Sequence, residues 1–374
     1  MCEKIFYLAF NDVGNKKNSG VAKKIKAQIT GIKNNNFAVD YAFFKNDVLQ
    51  FNNGKNVKFA NKVMKKIFKY KYILKYIAKK NSDLIYIRYP MADMFFVSFL
   101  KKLKKQMNIK VLIEIPTYPY DFEFKKTNKF SIKYLYVLFD KFYRKKLKKY
   151  VDKIVTFSDH EYIFDIETLQ ISNGVILDNI PLAKVQHNKN RNKIHMISVS
   201  SLAYWHGVDR ILKSLGEYYI NKDNKIDIKL HIVGDGSDLK NLRSIVQKYK
   251  IEENVTFYGY KDGKDLDKIF RKSDIAIGCL ANFRKNITKV KALKNIEYAA
   301  RGLPMFYSEQ NNDFDKKDFV YRVPHNESII DLKKIIDFYL KLEVTPYEIR
   351  EYVKNNLTWT SQMSNLFKIL NNKI

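Results

Sequence analysis

Short apolar runs alternate with longer amphipathic stretches along almost the whole chain. Lys4–Phe10, Phe37–Phe44, Leu84–Arg88, Lys110–Ile115, Lys153–Phe157 and Thr168–Ile171 are rich in apolar and β-branched residues, which predicts buried strands. Between them, Val21–Gly31, Asn61–Lys80, Met94–Gln106 and Phe130–Tyr150 read as helices. The alternation stops at the polar stretch Val185–Lys193, which looks like a linker, and then resumes. Strands are predicted at Ile194–Val199, Lys229–Val233, Val255–Tyr258, Ile275–Leu280 and Pro304–Tyr307. Helices are predicted at Val208–Tyr219, Asp238–Tyr249, Lys264–Ser273 and around Glu297, with a last one at Tyr347–Leu370. Strands alternating with helices form parallel sheets covered on both faces. The pattern therefore predicts an α/β chain of two tandem Rossmann-like domains, 1–187 and 188–345, followed by a helical segment 346–374. Such domains bind ligands at the carboxyl ends of their strands, facing the cleft between them.

Composition agrees with this picture. A chain of 374 residues with 46% hydrophobic content can bury two cores. No apolar run approaches the ~20 residues of a membrane span, and the N-terminal run is too short and too early broken for a signal peptide. Cys2 and Cys279 offer neither a disulfide framework nor zinc spacing, so a reducing cytoplasm is expected. The net charge is +30 and uneven: residues 1–189 hold 37 Lys+Arg against 16 Asp+Glu, a surplus of +21. The first half is thus expected to face an anionic partner, an anionic membrane surface being one candidate. Nucleic acid is not expected, because no recognised binding module is visible and the basic residues are spread over several helices. General Lys and Asn richness explains the total charge better than it explains the asymmetry.

Within Lys294-Asn295-Ile296-Glu297-Tyr298-Ala299-Ala300-Arg301-Gly302-Leu303-Pro304, Lys294 and Glu297 are three apart, so they share a helix side. A cation beside a carboxylate suits a nucleotide, the lysine for phosphate and the glutamate for ribose hydroxyls. A solvated ion pair is the competing reading. Gly234 and Gly236 close a tight strand-to-helix turn, but Leu239 stands where a dinucleotide fingerprint needs a third glycine, which disfavours NAD. Ser19 and Gly20 precede the first helix and form a candidate anion loop. Trp205-His206-Gly207 and Arg210 make the matching turn of the second domain, where His206 and Arg210 can face a diphosphate. Glu114 to Glu123 places Glu114, Tyr118 and Asp121 at a strand's carboxyl end, and Arg88 ends the preceding strand the same way. Asp265/Asp267 and Asp313/Asp315 are weak metal candidates, so no metal is expected. In Asn61–Lys80, lysines laced with Ile, Phe and Tyr suit either a core-facing stripe or a membrane interface.

Several of these residues together resemble a family. His206-Gly207, Val233-Gly234-Asp235-Gly236, Val255-Thr256-Phe257-Tyr258-Gly259, Ser273-Asp274-Ile275 and Glu297 through Pro304 resemble, in order and spacing, group 1 (family 4) glycosyltransferases of the GT-B fold. Asn173-Gly174-Val175 resembles the turn before that family's interdomain linker, and Arg88-Tyr89-Pro90 with Glu114–Tyr120 looks like a capsule, exopolysaccharide and O-antigen subgroup. The resemblance implies a retaining transfer from a nucleotide-sugar, UDP-linked most often, to a glycan or lipid-linked acceptor without metal or cofactor. It also implies that the C-terminal helix returns to the first domain. Glu297 matches the ribose ligand, and Gly259 and Tyr260 fall in the donor turn. The first glutamate of the family's Glu-x7-Glu falls at Lys289, and its diphosphate cations map near Ser201 and His206. Lys294, with His206, Arg210 or Lys289, is expected to supply the missing charge, with Glu114 or Asp121 as base or acceptor ligand. The departures also motivate an alternative: an inactive GT-B protein that binds glycan or stabilises a partner.

Overall fold

Ile5 through Ala9 are completely buried at five consecutive positions, because both faces of their strand are covered. The computed structural model describes residues 4–15, 19–120, 132–184, 192–220 and 226–372. In strand β1 (Lys4–Asp12), Ile5, Tyr7 and Ala9 pack with helix α1 (Ser19–Lys33) and helix α11 (Trp359–Asn372). Phe6 and Leu8 face α2 (Lys62–Lys80) and α3 (Met94–Gln106) on the other side. Around β1 run β2 (Ala38–Lys45), β3 (Val48–Phe51), β4 (Asn56–Val57), β5 (Leu84–Arg88), β6 (Lys110–Ile115), β7 (Lys153–Thr156), β8 (Tyr162–Ile163) and β9 (Ile166–Gln170). Their order is β4-β3-β2-β1-β5-β6-β7-β9-β8, and α4 (Ile132–Tyr143) lies between β6 and β7 in the chain. The segments β3, β4 and β8 escape the apolar pattern because they are antiparallel additions at the sheet's edges. The local signal for β3 is the turn Asn46-Asp47, where both φ angles are positive (50° and 62°), as a two-residue hairpin requires.

The second sheet is wholly parallel. It contains β10 (Lys193–Val199), β11 (Asp227–Val233), β12 (Val255–Phe257), β13 (Ile275–Ile277), β14 (Met305–Tyr307) and β15 (Val320–Arg322) in the order β12-β11-β10-β13-β14-β15. Its helices are α5 (Val208–Ile220), α6 (Leu239–Tyr249), α7 (Gly263–Lys272), α8 (Leu293–Ala300), α9 (Leu332–Lys341) and α10 (Pro346–Asn356). The order reverses between β10 and β13, the place where open α/β sheets hold ligands. This is the two-unit α/β architecture that the sequence pattern predicts.

The units divide at different points from those the sequence suggests. One comprises 1–172 with 359–374, the other 173–358. Residues 173–184 pack with the second unit: the Val175 amide donates to Leu357 O at 3.0 Å, and the Ala183 amide to Arg301 O at 2.9 Å. Arg350 of α10 also donates to Ile180 O at 2.6 Å and Leu177 O at 3.0 Å. The expected single helix over 347–370 is interrupted at Leu357-Thr358, so α10 stays in the second unit and α11 alone joins the first.

Gly31 of α1 is the contact on which α11 docks. A Cβ there would sit 2.6 Å from Trp359 O, which is backbone and cannot rotate away. Gly31→Ala should therefore destabilise the first unit by about 1–3 kcal/mol, measured as a lowered urea midpoint. An unchanged midpoint would mean that α11 does not dock there.

Candidate functional site

Outgoing segments at the switch point of the second unit lie side by side. Beyond β13 and β14, the Gly278 amide donates to Phe306 O at 2.8 Å and the Ser308 amide to Cys279 O at 3.0 Å. Segment 288–290 then adds on: Gln310 N donates to Thr288 O at 2.8 Å, and Val290 N to Gln310 O at 3.0 Å. Helix α8 starts directly after it. This scaffold gathers Lys294, Asn295 and Glu309, with Cys279 and His206 nearby.

The electrostatics there are unusual. The Lys294 ammonium is buried and has no hydrogen-bond partner. Neither oxygen of Glu309 and neither amide atom of Asn295 has one, and both residues are fully buried. Lys294 and Glu309 feel each other's charge without forming an ion pair. Burial pushes the Glu309 carboxyl up to about 7, against the pull of the Lys294 ammonium. Burial likewise lowers the pKa of Lys294, while Cys279 and Glu309 act in the opposite sense. The Ser200 hydroxyl, at the end of β10, is also buried without a partner. Each such group costs about 1–3 kcal/mol when left unsatisfied. A set concentrated at a switch point fits a ligand that is anionic in one part and hydroxyl-rich in another.

Other residues of this edge fall out differently from expectation. Lys294 and Glu297 do not present one shared surface: the lysine's ammonium is buried, whereas Glu297 is exposed on α8. Lys289 is exposed in the added segment. Arg210 is not available to a diphosphate, because its guanidinium is buried and donates to Leu280 O, to Ser328 O at 2.9 Å and to Pro324 O at 3.2 Å. His206 is a poor substitute cation: burial first, then Lys294 and Lys285, lower its pKa to about 4. Its Nδ1 accepts from the Ala203 amide at 3.3 Å, which leaves the ring proton on Nε2 and makes it a neutral donor. Gly207 (φ +72°) admits the backbone of Leu280 and Ala281, and Gly234 (φ +128°) admits Ser200 O. At both, a Cβ would collide with main chain. Gly259 O accepts from the Gly234 amide at 2.8 Å, and Tyr260 is exposed with its hydroxyl on Asp262 at 3.2 Å. The Asp-x-Asp acids serve the fold: Asp267 pairs with Arg301 at 2.7 Å, and Asp315 accepts from Tyr307 at 3.0 Å.

In the first unit, the edge of β5 and β6 is occupied by its own side chains. Glu114 is completely buried and accepts from Arg88 at 2.6 Å, Tyr86 at 2.7 Å and Gln28 at 2.7 Å, with Lys24 at 3.6 Å. Burial raises its pKa, but Lys24, Arg88 and the two neutral donors outweigh that and hold it below the ordinary value. A carboxylate so satisfied and so enclosed is a hub, not a base, and Arg88 is spent on it. Tyr118 stacks edge-on against His160 at 4.8 Å. Ser19 and Gly20 form the first turn of α1 instead of a loop before it, and a Cβ on Gly20 would meet nothing within 4 Å. Asp121 and Glu123 lie outside the described residues. Sequence reasoning missed Glu309, two residues past the predicted strand Pro304–Tyr307, and passed over Asn295 inside the quoted stretch Lys294 to Pro304.

Known proteins bear on this geometry. Residues 179–356 match the family model described as glycosyl transferases group 1. An uncharacterised glycosyltransferase of Methanocaldococcus jannaschii is 33% identical over 101 residues, which is 27% of this chain and 25% of that one. The match thus spans about a quarter of that relative. The chain is similar in fold to the lipopolysaccharide outer core galactosyltransferase WaaB (TM-score 0.60, 12% identity, 99% of this chain and 100% of that one). It is also similar to sucrose-phosphate synthase from Thermosynechococcus elongatus (TM-score 0.57, 15% identity, 100% of both chains).

The two edges predict opposite responses to losing a charge. Glu114→Gln removes the anion that Arg88 and Lys24 share, which should cost about 3 kcal/mol at pH 7. Because the folded pKa of Glu114 lies below the unfolded one, that stability exists above the unfolded value and disappears as pH falls through the folded value. The deficit of the variant should therefore shrink in acid. Lys294→Met removes an unpartnered buried cation and should stabilise the ligand-free protein by about 1 kcal/mol. Chemical denaturation of both variants from pH 3 to 8 checks the two signs.

Proposed function

We propose that this chain, whose second unit carries a group 1 glycosyltransferase domain, transfers a sugar from a nucleotide-sugar to a glycan or lipid-linked saccharide. A UDP-sugar is the favoured donor, bacterial surface polysaccharide synthesis the setting, and the transfer retains configuration without a metal. The observation that carries the proposal is the buried Lys294 ammonium without a partner at the switch point. Transfer breaks the bond between the anomeric carbon and a diphosphate oxygen. It forms a bond from that carbon to an acceptor hydroxyl oxygen, whose proton passes to the departing phosphate. Negative charge therefore grows on the diphosphate, and a desolvated, preorganised cation stabilises it more strongly than a hydrated one. Lys294 takes that role, the neutral His206 donates a further hydrogen bond, and Glu297 takes the ribose hydroxyls. Acceptor contacts fall to the first unit, around Tyr118.

An inactive, glycan-binding protein is the second reading, motivated by Arg210 being committed to carbonyls and by Lys289 at the glutamate position. It differs in outcome: glycan binding without turnover of any nucleotide-sugar.

The proposal also places the first unit on the inner face of the plasma membrane. No helix among the described residues is long and apolar enough to cross a membrane. The C-terminal half of α2 packs inward through Tyr70, Ile73, Tyr76 and Ile77. Its N-terminal half exposes Val63, Met64, Ile67 and Phe68 among lysines, and Ile67 and Phe68 line a groove of 620 Å³ shared with α3. Apolar side chains ringed by lysines suit an anionic bilayer surface.

Two measurements check this. Thermal midpoints with UDP, GDP and their sugars should rise for one nucleotide by several degrees in wild type, and Lys294→Met or Glu297→Ala should abolish the rise. Lys294→Met should do so while keeping or raising the ligand-free midpoint, the mark of a binding residue and not of a folding defect. Co-sedimentation with phosphatidylglycerol vesicles should be lost in Ile67→Glu/Phe68→Glu; retained sedimentation would exclude this face.

A further inference from the structure

The family's first glutamate has no counterpart at position 289, yet the switch point does not lack a carboxylate. Lys289 and Gln310 form a bridge between the added segment and the continuation of β14. That pairing sets Glu309 in the strand next to the position that would have carried the acid. Glu309 is wholly buried, no side chain donates to its oxygens, only the backbone amides of Ser308 and Glu309 itself act on them, and Lys294 forms no ion pair with it. Asn295, next in sequence to Lys294, is buried with neither amide atom partnered, and its Oδ1 lies 3.0 Å from where Gly278 would carry a Cβ. Gly278 thus lets Asn295 and Tyr307 approach more closely than a side chain there would allow.

Resting on the glycosyltransferase reading, we propose that Glu309 and Asn295 bind the hydroxyls of the transferred sugar, while Lys294 binds the diphosphate. The unpartnered groups have the needed complementarity. A carboxylate accepts from hydroxyls, a carboxamide both donates and accepts, and the ammonium faces the anion. The two residues lie on different segments, so they can grip two positions of one pyranose. Buried polar groups of this kind reject an analogue lacking the matching hydroxyl far more strongly than an apolar pocket rejects a change of size. Glu309 and Asn295 are accordingly specificity residues, and the sugar is one whose adjacent hydroxyls are unblocked. The raised carboxyl pKa, about 7, is consistent with a group that awaits a partner.

The experiment compares free nucleotide with nucleotide-sugar. Binding of UDP, UDP-glucose, UDP-galactose, UDP-N-acetylglucosamine and GDP-mannose is measured calorimetrically for wild type, Glu309→Gln and Asn295→Ala. Circular dichroism and the thermal midpoint serve as fold controls. The expected result is an unchanged affinity for the free diphosphate and a loss of about tenfold or more for the preferred nucleotide-sugar in Glu309→Gln. Deoxy-sugar donors should bind wild type as weakly as the full donor binds the variant. An equal loss for nucleotide and nucleotide-sugar, or no loss in either variant, overturns the assignment while leaving the donor site intact. If wild type binds no nucleotide at all, the glycosyltransferase reading fails and this inference with it.

Discussion

The Lys294 ammonium and the Glu309 carboxylate are buried at one sheet edge and do not meet. Opposite charges in a protein interior ordinarily close into a hydrogen-bonded pair, because each alone carries a large desolvation cost. Here they do not. Glu309 is fixed by the ladder from Cys279 to Thr288, and Lys294 by its place on α8. Holding two charges apart makes sense as stored binding capacity: a ligand that supplies an anion for one and hydroxyls for the other recovers what the ligand-free protein forgoes. The glycines of this unit serve the same end, since Gly207 and Gly234 let neighbouring main chain come closer than any side chain would allow.

The first unit shows the opposite solution. Its carboxylate, Glu114, lies at the same end of a parallel sheet and is equally buried, yet Arg88, Lys24, Tyr86 and Gln28 close around it. Tyr7 joins through Gln28 at 2.6 Å. A fully satisfied network rigidifies the edge it closes, whereas buried polar groups left unpaired carry a cost that a ligand can relieve. The contrast separates a structural hub from a ligand site more reliably than residue type, since both edges present a glutamate at or just past the end of an apolar strand.

Much of the fold was legible because buried parallel strands leave near-continuous apolar runs. Leu84–Arg88, Lys110–Ile115 and Met94–Gln106 fall where the pattern puts them. The edge hairpins were not, since β3 and β4 are short and half polar. Nor was the unit boundary, because the polar stretch after residue 184 says nothing of the backbone bonds that tie residues 173–184 to α8 and α10. For the site, Lys294 stood out by its place before Glu297, but the local spacing concealed that one side chain is buried and the other exposed. Arg210 and Glu114 were misleading for a common reason: their partners come from segments distant in sequence, at Ser328, Pro324 and Arg88. Glu309 was hidden because its significance lies in what fails to touch it.

The most direct measurement is a crystal structure of the protein with its nucleotide-sugar, or with the nucleotide diphosphate and a non-hydrolysable sugar analogue. The account places a diphosphate oxygen within about 3 Å of Lys294 Nζ, and sugar hydroxyls on Glu309 and Asn295. A nucleotide bound elsewhere, or a Lys294–Glu309 pair that closes on itself with the ligand in place, would contradict it.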